Sequence, residues 1–215
     1  MKLDHIIDGL RIYSVRFVVL LFILMFWSCG TDNPITPYQP KEWKGIPDSK
    51  AFDNLELVQR LERMRRSNSS LSYIGGDVDF NGVILEGSAW YYHFFGYENN
   101  KPMLYKWKIL PDGKVELWDV GPPQTRSYYW KELGQFLAIN SDQAVKIARL
   151  HRAEEYIQHH PHAYVRIYYY QAETVMIKLW FYDPDTLGAC EPQWWITADT
   201  GTFINTDYDH DYCLK

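Results

Sequence analysis

His151, Glu155 and His159 stand four residues apart, with His160 and His162 just beyond. On a helix that spacing sets two imidazoles and a carboxylate on one face, where, with His162, they could grip zinc or copper. The set does not form a His-Glu-x-x-His motif. The alternative is a solvated helix end, where His159 and His160 sit favourably near the C-terminal dipole. Asp207, Asp209 and Asp211 alternate like the opening of a calcium loop. The glycine at its sixth position and the distal glutamate are missing, so a polar strand edge or tail is the better description. Tyrosines and aspartates are plentiful enough for acid-base chemistry, but nothing in the sequence pairs a particular two. There is no nucleophile elbow, phosphate loop or dinucleotide fingerprint. No catalytic residue is assigned, and the expectation is a non-enzymatic protein.

The three cysteines carry different chemistry according to what surrounds them. Arg11 and Arg16 precede an apolar run from Phe17 to Trp27, followed by Ser28-Cys29-Gly30, which is a signal-peptide layout. At about 1.5 Å per residue the run reaches roughly 16 Å, short of the roughly 30 Å hydrocarbon core. Its end resembles a lipobox, the motif of bacterial lipoprotein signal peptides. Ser28, Cys29 and Gly30 fit that motif, while Phe26 and Trp27 depart from its usual leucine and small residue. The resemblance implies cleavage after residue 28 and a diacylglycerol on the Cys29 thiol, a covalent lipid and no other cofactor. It places the chain in the bacterial cell envelope, anchored to a membrane and outside the cytoplasm, for example in the periplasm. The alternative is an uncleaved signal anchor in which Cys29 is a buried thiol. With Cys29 acylated, Cys190 and Cys213 form an even pair, and in an oxidising compartment such a pair reads as a disulfide. Two free thiols in a reducing setting is the other reading.

Residues 29–47 are polar and proline-punctuated, without helical or strand periodicity, and read as an extended tether. The chain as a whole carries a net charge of -5 and no basic run, which argues against nucleic acid or an anionic lipid surface as partner. Aromatics make up 17% of the residues, with 17 Tyr and 9 Trp. That content suits strands and a binding face built of rings.

The elements that would position these residues fall into two similar halves with a period of about 90 residues. In the first, residues 48–121, Ser49 to Arg66 places Phe52, Leu55, Val58 and Leu61 at helical steps, with Asp48 or Ser49 as cap. Strand-like stretches follow at Val78 to Leu85, Ala89 to Tyr97 and Met103 to Leu110, and Pro111-Asp112-Gly113 turns into Lys114 to Val120. A connector occupies 122–139. In the second, residues 140–215, a helix capped by Ser141 runs to about Gln158 with Ala144, Ile147 and Ala148 inward. Tyr164 to Gln171, Thr174 to Tyr182 and Gln193 to Thr197 read as strands, and Asp199-Thr200-Gly201 turns into Thr202 to Asp207.

The second half resembles a PepSY domain, a module of secreted and envelope proteins. The likeness rests on Ser141-Asp142-Gln143-Ala144-Val145-Lys146-Ile147-Ala148 and on the closing Trp195-Ile196-Thr197-Ala198-Asp199-Thr200-Gly201-Thr202-Phe203. The first half is similar in element order, with Asp112-Gly113-Lys114-Val115 as its best match. Tandem repeats of this kind also resemble the beta-lactamase inhibitor proteins, whose two repeats form a concave aromatic surface. The resemblance implies an α+β fold of two tandem repeats, each one helix packed on a small antiparallel sheet, PepSY-like or cystatin-like. It also implies a binding or inhibitory module.

Alternation in the strands separates a core face from an outer face. Val165, Ile167 and Tyr169 point one way, while Tyr164, Arg166, Tyr168 and Tyr170 point the other; in the next strand Met176, Lys178, Trp180 and Tyr182 oppose the aliphatics. Tyr164, Arg166, Tyr168, Tyr170, Lys178, Trp180, Tyr182 and Trp195 are therefore the candidate partner-binding residues, since exposed Trp, Tyr and Arg dominate interface energetics. The alternative is that the other repeat covers them. The expectation is a lipoprotein that binds an envelope protein or peptide in an inhibitory or accessory role; the second reading is a metal-binding or sensing lipoprotein using the His/Glu cluster.

Overall fold

The computed structural model describes residues 49–123, 132–133, 137–186 and 190–213. The expected signal peptide, Cys29 and the expected tether lie outside them. Among the described residues no helix is long and apolar enough to cross a membrane.

The first helix, α1, is Leu55–Arg65, with Glu56 in its first turn, Arg63 and Arg65 in its last, and Val58 and Glu62 buried. Those charges complement the helix dipole. It starts later than Ser49 because the preceding backbone is committed elsewhere. The Trp90 indole donates to the Ser49 carbonyl at 3.1 Å and the Tyr92 hydroxyl to the Ala51 carbonyl at 2.9 Å. The Ala51 amide donates to the Ser141 hydroxyl and the Phe52 amide to the Asn140 side chain. A carbonyl already used by a core ring is poorly placed to continue a helix.

The second helix, α2, is Ser141–Ala148, and its cap is Asn140 in a capping box with Gln143. Ser141 is thereby released from capping, and its hydroxyl donates to the Gly82 carbonyl at 2.6 Å. The helix does not run unbroken to Gln158. At Arg149–Ala153 it kinks through His151 (φ -112, ψ 50) and Arg152 (φ 74, ψ -2), then resumes as α3, Glu154–His159. The kink frees the His151 carbonyl, which accepts the indole N–H of the buried Trp194 at 2.7 Å. A fully buried indole donor left without an acceptor would cost on the order of 1–3 kcal/mol, so the break answers a need of the core.

Eight strands follow these helices in two sets: β1 Ser70–Val78, β2 Trp90–Glu98, β3 Lys101–Ile109 and β4 Val115–Gly121, then β5 Tyr164–Gln171, β6 Val175–Tyr182, β7 Gln193–Thr197 and β8 Phe203–Thr206. They form one antiparallel sheet in the order β4-β3-β2-β1-β5-β6-β7-β8. This corrects the expectation of two tandem repeats, each with its own small sheet. β1 pairs with β5 from Tyr73↔Tyr170 to Val78↔Val165. Separate sheets would leave both of those edges with unpaired amides and carbonyls, and joining them removes two edges at once. Local alternation identifies a strand but carries no information about which distant edge it meets.

The strand placed at Val78 to Leu85 is also corrected, because the strand ends at Val78. The Asp79 carboxylate accepts from the Asn81 and Val83 amides and folds 79–83 into a turn. Gly75 and Gly76 had hidden the true strand by their low β preference. Neighbouring rings fill the space they leave: a Cβ at Gly76 would meet the Trp90 indole at 2.8 Å, and one at Gly75 would meet the Tyr73 phenol.

A single core lies under one face of the sheet. Val58 of α1, Ala144, Val145 and Ala148 of α2, and Tyr156 of α3 pack with Trp90, Tyr92, Ile74, Tyr169, Ile177, Phe181 and Trp194. Glu62, 1% exposed, is held in this core by the Trp107 indole at 2.7 Å, the Ser69 hydroxyl at 2.8 Å and Arg66 at 3.1 Å. The C-terminal turn α4, His210–Cys213, is tied down by a disulfide between Cys190 and Cys213. His160 supports it from below, with Nδ1 2.7 Å from Asp183, Nε2 3.1 Å from the Cys213 carbonyl, and its ring stacked 4.2 Å from Tyr156. Burial pulls the Asp183 carboxyl up, but hydrogen bonds from His160 and the Asp185 amide outweigh it and hold the group below its usual range.

Gly82 is a tight joint between the halves. Its φ is +75°, and a Cβ there would stand 2.4 Å from the Asp142 amide nitrogen. Gly82→Ala is expected to destabilise by more than about 1 kcal/mol, because strain and a backbone clash act together. Urea unfolding of the two proteins measures it, and an unchanged midpoint would contradict the described packing.

Candidate functional site

The helices occupy one face of the sheet, and the alternate residues of the strands make up the other. Cross-strand pairing arranges them in rows. One row runs Asp119, Lys106, His93, Tyr73, Tyr170, Met176. The next runs Glu116, Lys108, Tyr91, Gly75, Tyr168, Lys178, Trp195. A third runs Asp77, Arg166, Trp180, Gln193, and a short one pairs Tyr164 with Tyr182.

All eight residues expected to bind a partner lie on this face. Each is half-buried, wedged by its lateral neighbours, and among the described residues no second layer of strands covers them. Tyr164 and Tyr182 rings are 5.1 Å apart, and Tyr73 lies 4.5 Å from the His93 ring and 6.0 Å from Tyr168. Arg166 grips Asp77 through two hydrogen bonds of 2.7 and 3.1 Å. That bond holds its guanidinium above its ordinary pKa. The Lys178 ammonium stands 5.4 Å from the Trp180 ring and 5.7 Å from Trp195. Burial raises the Tyr164 and Tyr168 phenols, so both remain neutral donors.

The first half supplies residues to the face that alternation alone did not single out. Lys106 pairs with Asp119 at 2.5 Å and Lys108 with Glu116 at 2.9 Å. Hydrogen bonds from Lys114 and Lys108 hold the Glu116 carboxyl down at about 2. Trp118 arrives by a β-bulge: Trp107 faces Leu117 while Lys106 faces Asp119, which leaves Trp118 as the extra residue. A bulge re-aims side chains, and this one sets Trp118 5.9 Å from Tyr91 and 5.5 Å from the Lys106 ammonium, with 48% of it exposed. The Tyr91, His93, Phe95 alternation was the available signal in the sequence for β2; for Trp118 there was none.

The His/Glu cluster does not converge. The His151 ring stacks on Phe203 at 4.0 Å, Glu155 pairs with Arg152, and His159 bonds the Glu155 carbonyl within its own helix. The kink between His151 and Glu155 breaks the four-residue spacing, and the neighbouring His160 turns inward to Asp183. Among the described residues no group of three or more His, Cys, Asp or Glu side chains is placed to hold a metal ion. Asp207 accepts the Gln193 amide at 2.5 Å and Asp209 the Tyr212 amide at 3.3 Å, so both serve the tail.

No family model matches the chain, which leaves the PepSY-like resemblance without confirmation. No curated protein sequence matches it either. Among solved structures, a candidate lipoprotein of Clostridium difficile 630 aligns over 78% of this chain and 100% of its own, at 12% identity and a TM-score of 0.47. A likeness at that level fixes neither fold family nor function.

His93 gives the face a measurable signature. Burial is the first cause that lowers its pKa, to about 3, with Lys106 adding to the effect and Asp119 opposing it. The unfolded imidazole, near 6.5, therefore binds a proton before the folded one does. This stability is fully present above about pH 6.5 and is lost progressively as pH falls toward the folded value. Between pH 7 and 5 the carboxylates contribute little, so wild type is expected to lose urea stability over that interval and His93→Phe to lose less. Equal losses in the two proteins would contradict the burial of this ring.

Proposed function

We propose that this chain is a non-catalytic lipoprotein of the bacterial envelope that binds a protein or peptide partner on the open face of its sheet, in an inhibitory or accessory role. The observation that carries the reading is the concentration of Tyr, Trp and Arg on that one face. Tyr73, Tyr91, Trp118, Tyr164, Arg166, Tyr168, Tyr170, Trp180, Tyr182 and Trp195 stand there in adjoining rows. Interfaces are enriched in these residue types, and rigid rings add contact area at small entropic cost. The other face is spent on the core, so this is where a partner of ordinary size could bury enough surface.

The lipid anchor rests on the residues around Cys29. Cys29→Ser is expected to move the protein from the membrane fraction to the soluble fraction of fractionated cells; retention in the membrane fraction would remove the anchor from the proposal.

Partner binding is tested by crosslinking in intact cells. Trp180→Ala and Trp118→Ala are expected to reduce the captured partner about tenfold or more, as hot-spot rings do. Leu150→Ala, an exposed change on the kinked helix, is expected to leave capture unchanged. Equal capture by all three variants would remove the assignment of the face.

A further inference from the structure

Asn81-Gly82 is the one Asn-Gly pair in the chain, and it occupies the turn that seats the first half against α2. Asparagine before glycine is prone to an internal reaction, because glycine has no side chain to keep its nitrogen from the neighbouring carboxamide. The Gly82 amide loses its proton to solvent base, and its nitrogen attacks Cγ of Asn81. The Cγ–Nδ2 bond breaks, the side-chain nitrogen takes a proton from water and leaves as ammonia, and a cyclic imide remains. Water then opens the imide at either carbonyl, leaving aspartate or isoaspartate at position 81. One water is consumed in all and one ammonia released. Asn81 is exposed and borders an open cleft with Asp142, Lys146 and Leu150, so water has access to it.

The fold withholds both reacting groups. The Gly82 N–H donates to the Asp79 carbonyl at 3.0 Å, and Asn81 Nδ2 donates to the Asp79 carboxylate at 3.1 Å. The Gly82 carbonyl accepts the Ser141 hydroxyl at 2.6 Å, and its backbone lies so close to Asp142 that no Cβ would fit. While the turn is seated, the nitrogen neither releases its proton readily nor rotates toward Cγ. We infer that Asn81-Gly82 is a site of spontaneous modification gated by the contact between the halves, protected while Gly82 is seated on α2 and reactive when the two part. Both products hinder reseating. Aspartate sets a second carboxylate beside that of Asp79, where Nδ2 had donated. Isoaspartate adds a methylene to the backbone next to Gly82, where packing leaves no space for one more carbon. A transient opening is thereby made lasting, and the modification marks molecules whose halves have separated or have not yet joined.

The test follows the full chain in detergent, incubated in mildly alkaline buffer, by fragmentation mass spectrometry of the proteolytic peptide that contains Asn81. The chain unfolded in guanidinium chloride is expected to be modified at least about tenfold faster than the folded chain, since the ratio reads how rarely the seam opens. Ser141→Ala, which removes the hydroxyl held by the Gly82 carbonyl, is expected to raise the folded rate several-fold. Should that variant not fold, wild type in guanidinium below its unfolding transition takes its place, and its rate is expected to rise while far-UV circular dichroism stays constant. Equal rates in the folded and unfolded chain, or no response to loosening of the seam, would overturn the gating. An unmodified Asn81 in the unfolded chain, or a mass change at position 81 that persists in Asn81→Gln at the wild-type rate, would overturn the site itself.

Discussion

The pairing of β1 with β5 is the constraint from which the rest of the architecture follows. Six cross-strand pairs, Tyr73↔Tyr170 through Val78↔Val165, convert two sets of four strands into one sheet. With the two halves side by side, α1 and the broken α2–α3 helix lie on the same face and share one core. A second set of contacts reinforces the seam from the helix side. Lys50 pairs with Asp142 at 2.7 Å, and the Ser141 hydroxyl bridges the Ala51 amide and the Gly82 carbonyl. The exposed ion pair adds little. The buried hydroxyl, with a donor and an acceptor from the other half, fixes the register of the helix against the turn.

That arrangement also explains why an aromatic face can remain open in a folded protein. Each ring is wedged by rings and charges of adjoining strands, so its flanks are packed while its outer surface stays accessible. Cross-strand pairs of aromatics and ions stabilise a sheet by roughly 0.2–1 kcal/mol each. The face therefore contributes to its own rigidity. Under the proposed reading, a partner would meet side chains whose rotamers are already restricted, which lowers the entropic cost of docking.

Much of this was legible in the sequence, and the omissions have physical reasons. In β5, β6 and β7 strict alternation from Tyr164 to Thr197 reveals both the strands and the face to which each side chain belongs. The same logic failed in β1, where Gly75 and Gly76 replace the apolar residues expected of a central strand and rely on Tyr73 and Trp90 for packing. The kink at His151 depends on a hydrogen bond to Trp194, 43 residues away, which no local pattern encodes. Trp118 reached the face only through a bulge. The merged sheet was the largest omission, since edge-to-edge pairing across the whole of one half leaves no trace in the periodicity of either strand.

The same seam has a temporal side. For a chain emerging N-terminus first, from a ribosome or an export channel, β1 to β4 are complete well before β5 exists. Until Tyr164–Gln171 arrives, β1 exposes a full edge of amides and carbonyls at what will become the centre of the sheet. Long-range pairing of this kind is slow and leaves edges open to wrong partners. Closing that margin depends on how quickly the second half follows or on what shields the edge in the interval.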